Sequence, residues 1–239
     1  MKKILLLFII VFSFSACITI YTNLPGYQEN RVKQSDFEKR FQSAPRENIL
    51  INSEIGDFSI TGFNKKEVII KGSKSSDIGE FLNDIDINII KKGKTVFFNS
   101  NIYNKIINSV NIDCRIQTPF ETNIQSEIGR GSVTMKSIRG NIKINGRKLD
   151  LNLTDISGKL IVSVEAGKVR LVILEWDKND NYIISNINGD IEFYAPKEAL
   201  LNIQAKGIKG NIKEKHKFKK GGAKVVLETK RGKIIIDKI

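Results

Sequence analysis

The sequence predicts an all-β protein, a single-stranded parallel β-solenoid of about 18–22 residues per coil. Three observations lead there: a nine-residue repeat in mid-chain, short segments of alternating polarity elsewhere, and no long stretch of helical periodicity. In the repeat, Gly131, Gly140, Leu149, Gly158 and Gly167 lie nine residues apart. Two residues after each stand Val133, Ile142, Leu151, Leu160 and Val169, and two further on Met135, Ile144, Leu153, Val162 and Leu171. Seven residues after each start come Ile138, Arg147, Ile156, Glu165 and Leu174, apolar at every second place, so the full period is eighteen residues in two unlike halves. Alternate strand residues point to one side, so each Gly-x-apolar-x-apolar unit turns two side chains inward. Stacked ~4.8 Å apart, such units share a continuous core that no single unit could build.

Earlier segments follow the same grammar. Phe58-Ser59-Ile60 and Val68-Ile69-Ile70 flank a turn at residues 62–66. Residues 77–83 read as one short helix, and Ile85–Ile89 and Thr95–Phe98 as strands about the turn at residues 91–94. Later units, Gly189-Asp190-Ile191-Glu192-Phe193, Gly210-Asn211-Ile212 and Gly232-Lys233-Ile234, start 21 or 22 residues apart, the excess going into loops. The rival fold is an antiparallel β-sandwich with hairpin turns at Asn145-Gly146 and Asn188-Gly189, but hairpins do not require a constant count.

The N-terminus is of another kind. Met1-Lys2-Lys3 precedes an apolar run from Ile4 to Phe14, too short to span ~30 Å of hydrocarbon comfortably, and reads as a secretory signal over residues 1–16. Phe14-Ser15-Ala16-Cys17 resembles the bacterial lipobox, with Phe14 where Leu is usual. That resemblance implies cleavage before Cys17 and its lipidation, by a thioether-linked lipid and a further acyl chain such as palmitate. Two or three chains, at ~0.8 kcal/mol per buried CH₂, hold a protein on a membrane stably. Residues 17–46, polar and with Pro25, Gly26 and Pro45, read as the linker, with one helical turn near Asp36 to Phe41; residues 47–239 form the body.

Of 239 residues, 39 are Lys or Arg and 26 Asp or Glu, and 41% are apolar, so the chain can bury a core and full-length disorder is excluded. Two cysteines, no CxxC and a single histidine, His216, leave no expected metal or cofactor site. Cys114 falls on the apolar face of an alternating strand and reads as a small buried thiol. Twelve Lys/Arg against three acids in residues 206–239, among them Lys213, Lys215, Lys217, Lys219 and Lys220, make a candidate patch for anionic lipid headgroups or acidic glycans. Equally, lysines at the last coil protect an open sheet edge. Trp176, at a corner, either stacks on a sugar or covers the end of the core. The secretory signal removes nucleic acid from the expected partners.

A resemblance to the bacterial "putative adhesin" family, envelope-associated β-helix-like domains, rests on Gly56-Asp57-x-x-Ile60, a strand running into Pro119, and the closing series Gly189-Asp-Ile-Glu-Phe-Tyr-Ala-Pro196, Gly210-Asn-Ile212 and Gly232-Lys-Ile234. It spans residues 49–239 and implies envelope binding or scaffolding toward glycans, headgroups or envelope and host-matrix proteins, with no catalytic residues. The enzymatic rival, a polysaccharide lyase or hydrolase, needs carboxylates grouped on one outward face. The outward position after each repeat start reads Asp57, Ser132, Asn141, Asp150, Lys159, Lys168, Asp190, Asn211, Lys233, with no two acids expected side by side.

Overall fold

The computed structural model describes residues 33–103, 110–208 and 211–239. The signal, Cys17 and the linker up to residue 32 lie outside the described residues. The strands are, in order, β1 (Lys33–Gln42), β2 (Asn48–Phe63), β3 (Glu67–Ser76), β4 (Ile85–Lys92), β5 (Thr95–Ile102), β6 (Val110–Pro119), β7 (Asn123–Ala166), β8 (Val169–Val172), β9 (Asn181–Asn188), β10 (Ile191–Ala195), β11 (Leu200–Lys206), β12 (Ile212–Glu214), β13 (Lys219–Arg231) and β14 (Ile234–Lys238). All fourteen belong to one mixed sheet. The one helix among the described residues is a 3₁₀ turn, Gly79–Asp84, where the sequence places its short helix. No helix among them is long and apolar enough to cross a membrane.

β4 and β5, joined by the Gly93 turn, are antiparallel, as are β1 with β3 and β3 with β6. The remaining ladders run parallel, and their register reproduces the repeat. Leu151 pairs with Val169, eighteen residues on, and Leu160 with Tyr182, twenty-two on. One inward row runs Phe58, Val133, Leu151, Val169, Ile191, Ile234, and the next Ile60, Met135, Leu153, Leu171, Phe193, Ile236. Every member is 3% exposed or less, and each contributes on the order of 1.5–3 kcal/mol by leaving water. Ile142 and Cys114 are buried in the same core. Burial pushes the Cys114 thiol far above its ordinary range, with Asp113 adding to the shift.

The long strand β7 turns corners without leaving extended pairing. Ser137 and Asp155, eighteen residues apart, both take φ of +56°, and the Ser137 hydroxyl donates to Asp155 Oδ2 at 2.7 Å. At another corner the requirement for glycine is steric. A Cβ on Gly167 would stand 2.2 Å from the Leu149 carbonyl oxygen, and one on Gly131 2.0 Å from that of Gly56. Backbones approach there too closely for any side chain.

Three expectations are corrected. Residues 33–42, expected within the linker and with a helical turn near Asp36 to Phe41, form a ten-residue strand paired with β3. The stretch needs no apolar alternation, because an edge strand is held by its backbone ladder and by Phe37, whose ring lies 6.2 Å from that of Phe98. Neither Asn145-Gly146 nor Asn188-Gly189 is a hairpin turn. The first lies inside β7, and the second separates β9 and β10, which pair with different strands. Finally, the last unit is not the outermost. β13 and β14 lie between β9/β10 on one side and β11/β12 on the other. The opposite end has the same inversion, since β2 lies between β5/β6 and β7.

Candidate binding surface

The basic segment is built by alternation about a corner. His216 and Phe218 are half-buried while Lys215, Lys217 and Lys219 are exposed. Phe218 packs on the core, edge-on to Phe193 at 6.5 Å, and the His216 ring meets Phe218 edge-on at 4.8 Å. Lys213 stands on β12, an edge strand, and Lys215 follows it, 3.7 Å from Asp237 Oδ2. Lys219 and Lys220 open β13, with Lys219 opposite Leu200 of the other edge strand, β11. Lys213, Lys215, Lys217, Lys219 and Lys220 thus ring the outermost strands. The other cations of residues 206–239 do not all join them: Lys224 and Lys230 lie further along the inserted strand β13, Lys233 lies between β13 and β14, and Lys206 is 3.3 Å from Glu228 Oε1.

Trp176 is half-buried in the loop between β8 and β9, against the core. In sheet order β12, which carries Lys213, is three positions from β8, whereas β9, into which the Trp176 loop runs, pairs directly with β13, the strand that Lys219 and Lys220 open.

The outward rows differ from the single file read in sequence, because alternate repeat units lie on different ladders. Asp57, Ser132, Asp150, Lys168, Asp190 and Lys233 share one row, while Asn141 and Lys159 lie on another. In that row β6 adds Asp113 directly opposite Asp57, so two acids do stand side by side. The sequence hides this because β5/β6, not the next unit in the chain, pairs on that flank of β2. Most of these carboxylates are engaged. Asp150 Oδ1 accepts the Lys168 N–H at 2.7 Å, Asp190 Oδ1 the Lys233 N–H at 2.8 Å, and Asp57 Oδ1 the Ser132 hydroxyl at 2.7 Å. They pin each strand start to its neighbour. An Asp or Asn directly after the corner residue was the available signal, and it reads as solvated surface until the register is known. In the next row Glu192 receives Lys168 Nζ at 2.6 Å and lies 3.8 Å from Arg170, whose guanidinium covers Tyr194 at 5.2 Å. The hydrogen bond to Glu192 holds the Lys168 ammonium above its ordinary range.

Two further polar sites had no sequence signature. Buried Asp180 accepts the N–H groups of Gly158 (2.7 Å) and Asp177 (2.8 Å), and the Tyr182 hydroxyl lies 2.9 Å from its Oδ2. Burial, then Asp180, drives the Tyr182 phenol well above its ordinary range. Glu47, fully buried, pairs with Lys91 at 2.8 Å and accepts the Ala44 N–H at 2.6 Å. Among the described residues no group of three or more His, Cys, Asp or Glu could hold a metal ion.

No family model matches the chain, and no curated protein does. Solved structures do. A "putative cell adhesion protein" from Clostridium sporogenes aligns over 87% of this chain and 100% of its own, at 18% identity and a TM-score of 0.51. A "putative adhesin" from Bacteroides fragilis aligns over 86% and 97%, at 15% identity and a TM-score of 0.39. At such identity the first is a likeness of fold.

Proposed function

We propose that the chain is a non-enzymatic cell-envelope protein of the "putative adhesin" kind, a parallel β-solenoid tethered to a bacterial membrane by lipid on Cys17, and that it works as a binding or scaffolding module. The observation that carries the solenoid is the eighteen-residue register, in which Leu151 pairs with Val169 and Ser137 bonds to Asp155. The binding role draws support from the fold shared with the C. sporogenes protein and from outward carboxylates that brace neighbouring strands instead of converging on a cleft. The lysines around β12 and the start of β13 are the surface proposed to meet acidic glycans, lipid headgroups or envelope and host-matrix proteins. The enzymatic alternative, a polysaccharide lyase or hydrolase, has the Asp57–Asp113 adjacency in its favour.

The test is incubation of the purified protein with a panel of acidic glycans. Retention without shortening supports the binding module; accumulating shorter products establish the enzyme. Cys17→Ala is expected to abolish lipid labelling and release the protein from membranes, and unaltered membrane retention refutes the anchor.

A further inference from the structure

A concavity of about 560 Å³ opens where three turns meet: β1–β2, β2–β3 and β6–β7. The first two turns are fastened to each other, and the third to β7. Ser43 N–H donates to the Lys66 carbonyl at 3.0 Å, and Arg139 N–H to that of Phe120 at 2.7 Å. Thr122 Oγ1 donates to the Pro119 carbonyl at 2.7 Å, and buried Glu47 holds the Ala44 N–H. The wall is therefore set before any ligand arrives.

Its lining combines apolar rings with a surplus of positive charge. Pro45, Phe63 and Phe120 supply apolar surface, and Arg46, Lys65, Lys66 and Arg139 face a single acid, Glu121. Arg139 lies over the Phe120 ring at 5.5 Å and Lys65 over Phe63 at 5.8 Å. Lys65 is also 3.8 Å from Glu67, and Arg139 4.0 Å from exposed Glu175. The side chains of Arg46 and Lys66 have no partner among the described residues. Arg46 holds φ at +54°, a left-handed conformation that side chains other than Gly and Asn seldom adopt and that concentrates at ligand clamps. A second concavity, about 640 Å³, sets Glu54 and Glu165 against Arg130, Arg147 and Lys148, and its mixed signs select no one charge.

We propose that the corner is a binding site for a uronic-acid unit of an acidic glycan, an inference resting on the non-enzymatic binding reading but on residues distinct from the C-terminal lysines. A guanidinium grips a carboxylate through two parallel hydrogen bonds, and the C–H face of a pyranose covers proline and phenyl surface. The volume suits one or two sugar units, within the ~300–1,000 Å³ usual for small-ligand sites. A phosphate headgroup satisfies the cations but leaves the rings wet; a neutral sugar covers the rings but leaves the cations unmatched.

The experiment titrates the full-length protein, solubilised in detergent, with trigalacturonate, with cellotriose and with glycerol 1-phosphate as the headgroup without its bilayer, following binding by calorimetry and products by chromatography. Trigalacturonate is expected to bind saturably and more weakly as salt rises, and cellotriose not to bind. Arg46→Gln with Lys66→Gln, both surface changes at unpaired side chains, is expected to weaken trigalacturonate at least tenfold. Lys215→Gln with Lys217→Gln and Lys219→Gln is expected to leave it unchanged. Binding that survives the Arg46/Lys66 change, that depends on the C-terminal lysines, or that occurs only with glycerol 1-phosphate overturns the corner site, as does absence of trigalacturonate binding. Glycan retention elsewhere on the protein then leaves the binding module standing. Conversely, shortened trigalacturonate together with loss of binding in the Arg46/Lys66 variant keeps the corner and overturns the non-enzymatic reading.

Discussion

Gly167→Ala isolates the steric demand of the corners. Gly167 joins β7 to β8 at φ of +127°, and its missing Cβ would lie 2.2 Å from the carbonyl oxygen of Leu149 and 2.7 Å from its carbon. An alanine there incurs ~1–3 kcal/mol of backbone strain. Leu149 is backbone in a paired strand and cannot swing aside, so relief requires the strands to part. That weakens the Leu151 N–H bond to the Lys168 carbonyl, now 2.7 Å, and costs a further ~1–3 kcal/mol as in overpacked cores. The midpoint, ~4 kcal/mol, corresponds to a fall in Tm of ~8–16 °C for a body of this size. Gly93 is the control: its φ of +58° strains an alanine, but nothing lies within 4 Å of the added carbon. Gly93→Ala should cost only ~1–2 kcal/mol, or ~2–8 °C. Thermal melts of the two variants, followed by circular dichroism, decide the matter. Equal shifts would refute close backbone approach as the reason for glycine at the corners.

Ile142→Asp places a lone carboxylate in an aliphatic row where Ile142 is 2% exposed, and should unfold the body; an unchanged melt removes Ile142 from the core. Lys91→Met strands the fully buried Glu47 and should cost ~3–5 kcal/mol in urea titration, whereas Glu47→Gln leaves a lysine that still reaches water and should cost clearly less; the opposite order contradicts the ion pair. Tyr182→Phe removes the single hydroxyl proton available to Asp180 and to the Ile156 carbonyl, 3.0 Å away, for a loss of ~1–3 kcal/mol; a neutral substitution argues against that network. Cys114, its thiol kept protonated by burial, should resist iodoacetamide at pH 8 until urea unfolds the chain, as read by peptide mapping; labelling of native protein at an exposed-thiol rate contradicts its position.

The repeat was legible because it is written in inward residues. Val133, Leu151 and Val169 are apolar whatever the neighbours do, and their spacing becomes the register itself. Edge strands carry no such signal. In β1 the two phenylalanines, Phe37 and Phe41, are four apart, a spacing that suits one face of a strand or of a helix, and the other residues are polar. The partners of β1 and β2 are set by long-range pairing, which is why Asp113 opposite Asp57 was invisible. The corner basin was hidden for the same reason, since Arg46 and Lys66 come from separate turns and Arg139 from within β7.

At the far end, spacing was uninformative for a definite reason. Ile234 pairs with Ile191, forty-three residues back, and with Ile212, twenty-two back, so Ile191 and Ile212 stand twenty-one apart in sequence but two strand positions apart in space. A simple sequential order would present the same rows and the same burial. The two orders differ in which backbone is flanked. As observed, β13 has β9 on one side and β11 on the other, and β11 is an edge. Native-state hydrogen exchange should therefore protect the amides of Lys224–Glu228 more than those of Leu201–Ala205, although the former lie nearer the chain's end. In sequential order β11 would be flanked and β13 would be the edge, reversing the protection. Slower exchange in β11 than in β13 would thus overturn the inserted arrangement, and with it the assignment of Lys213 to the outermost strand.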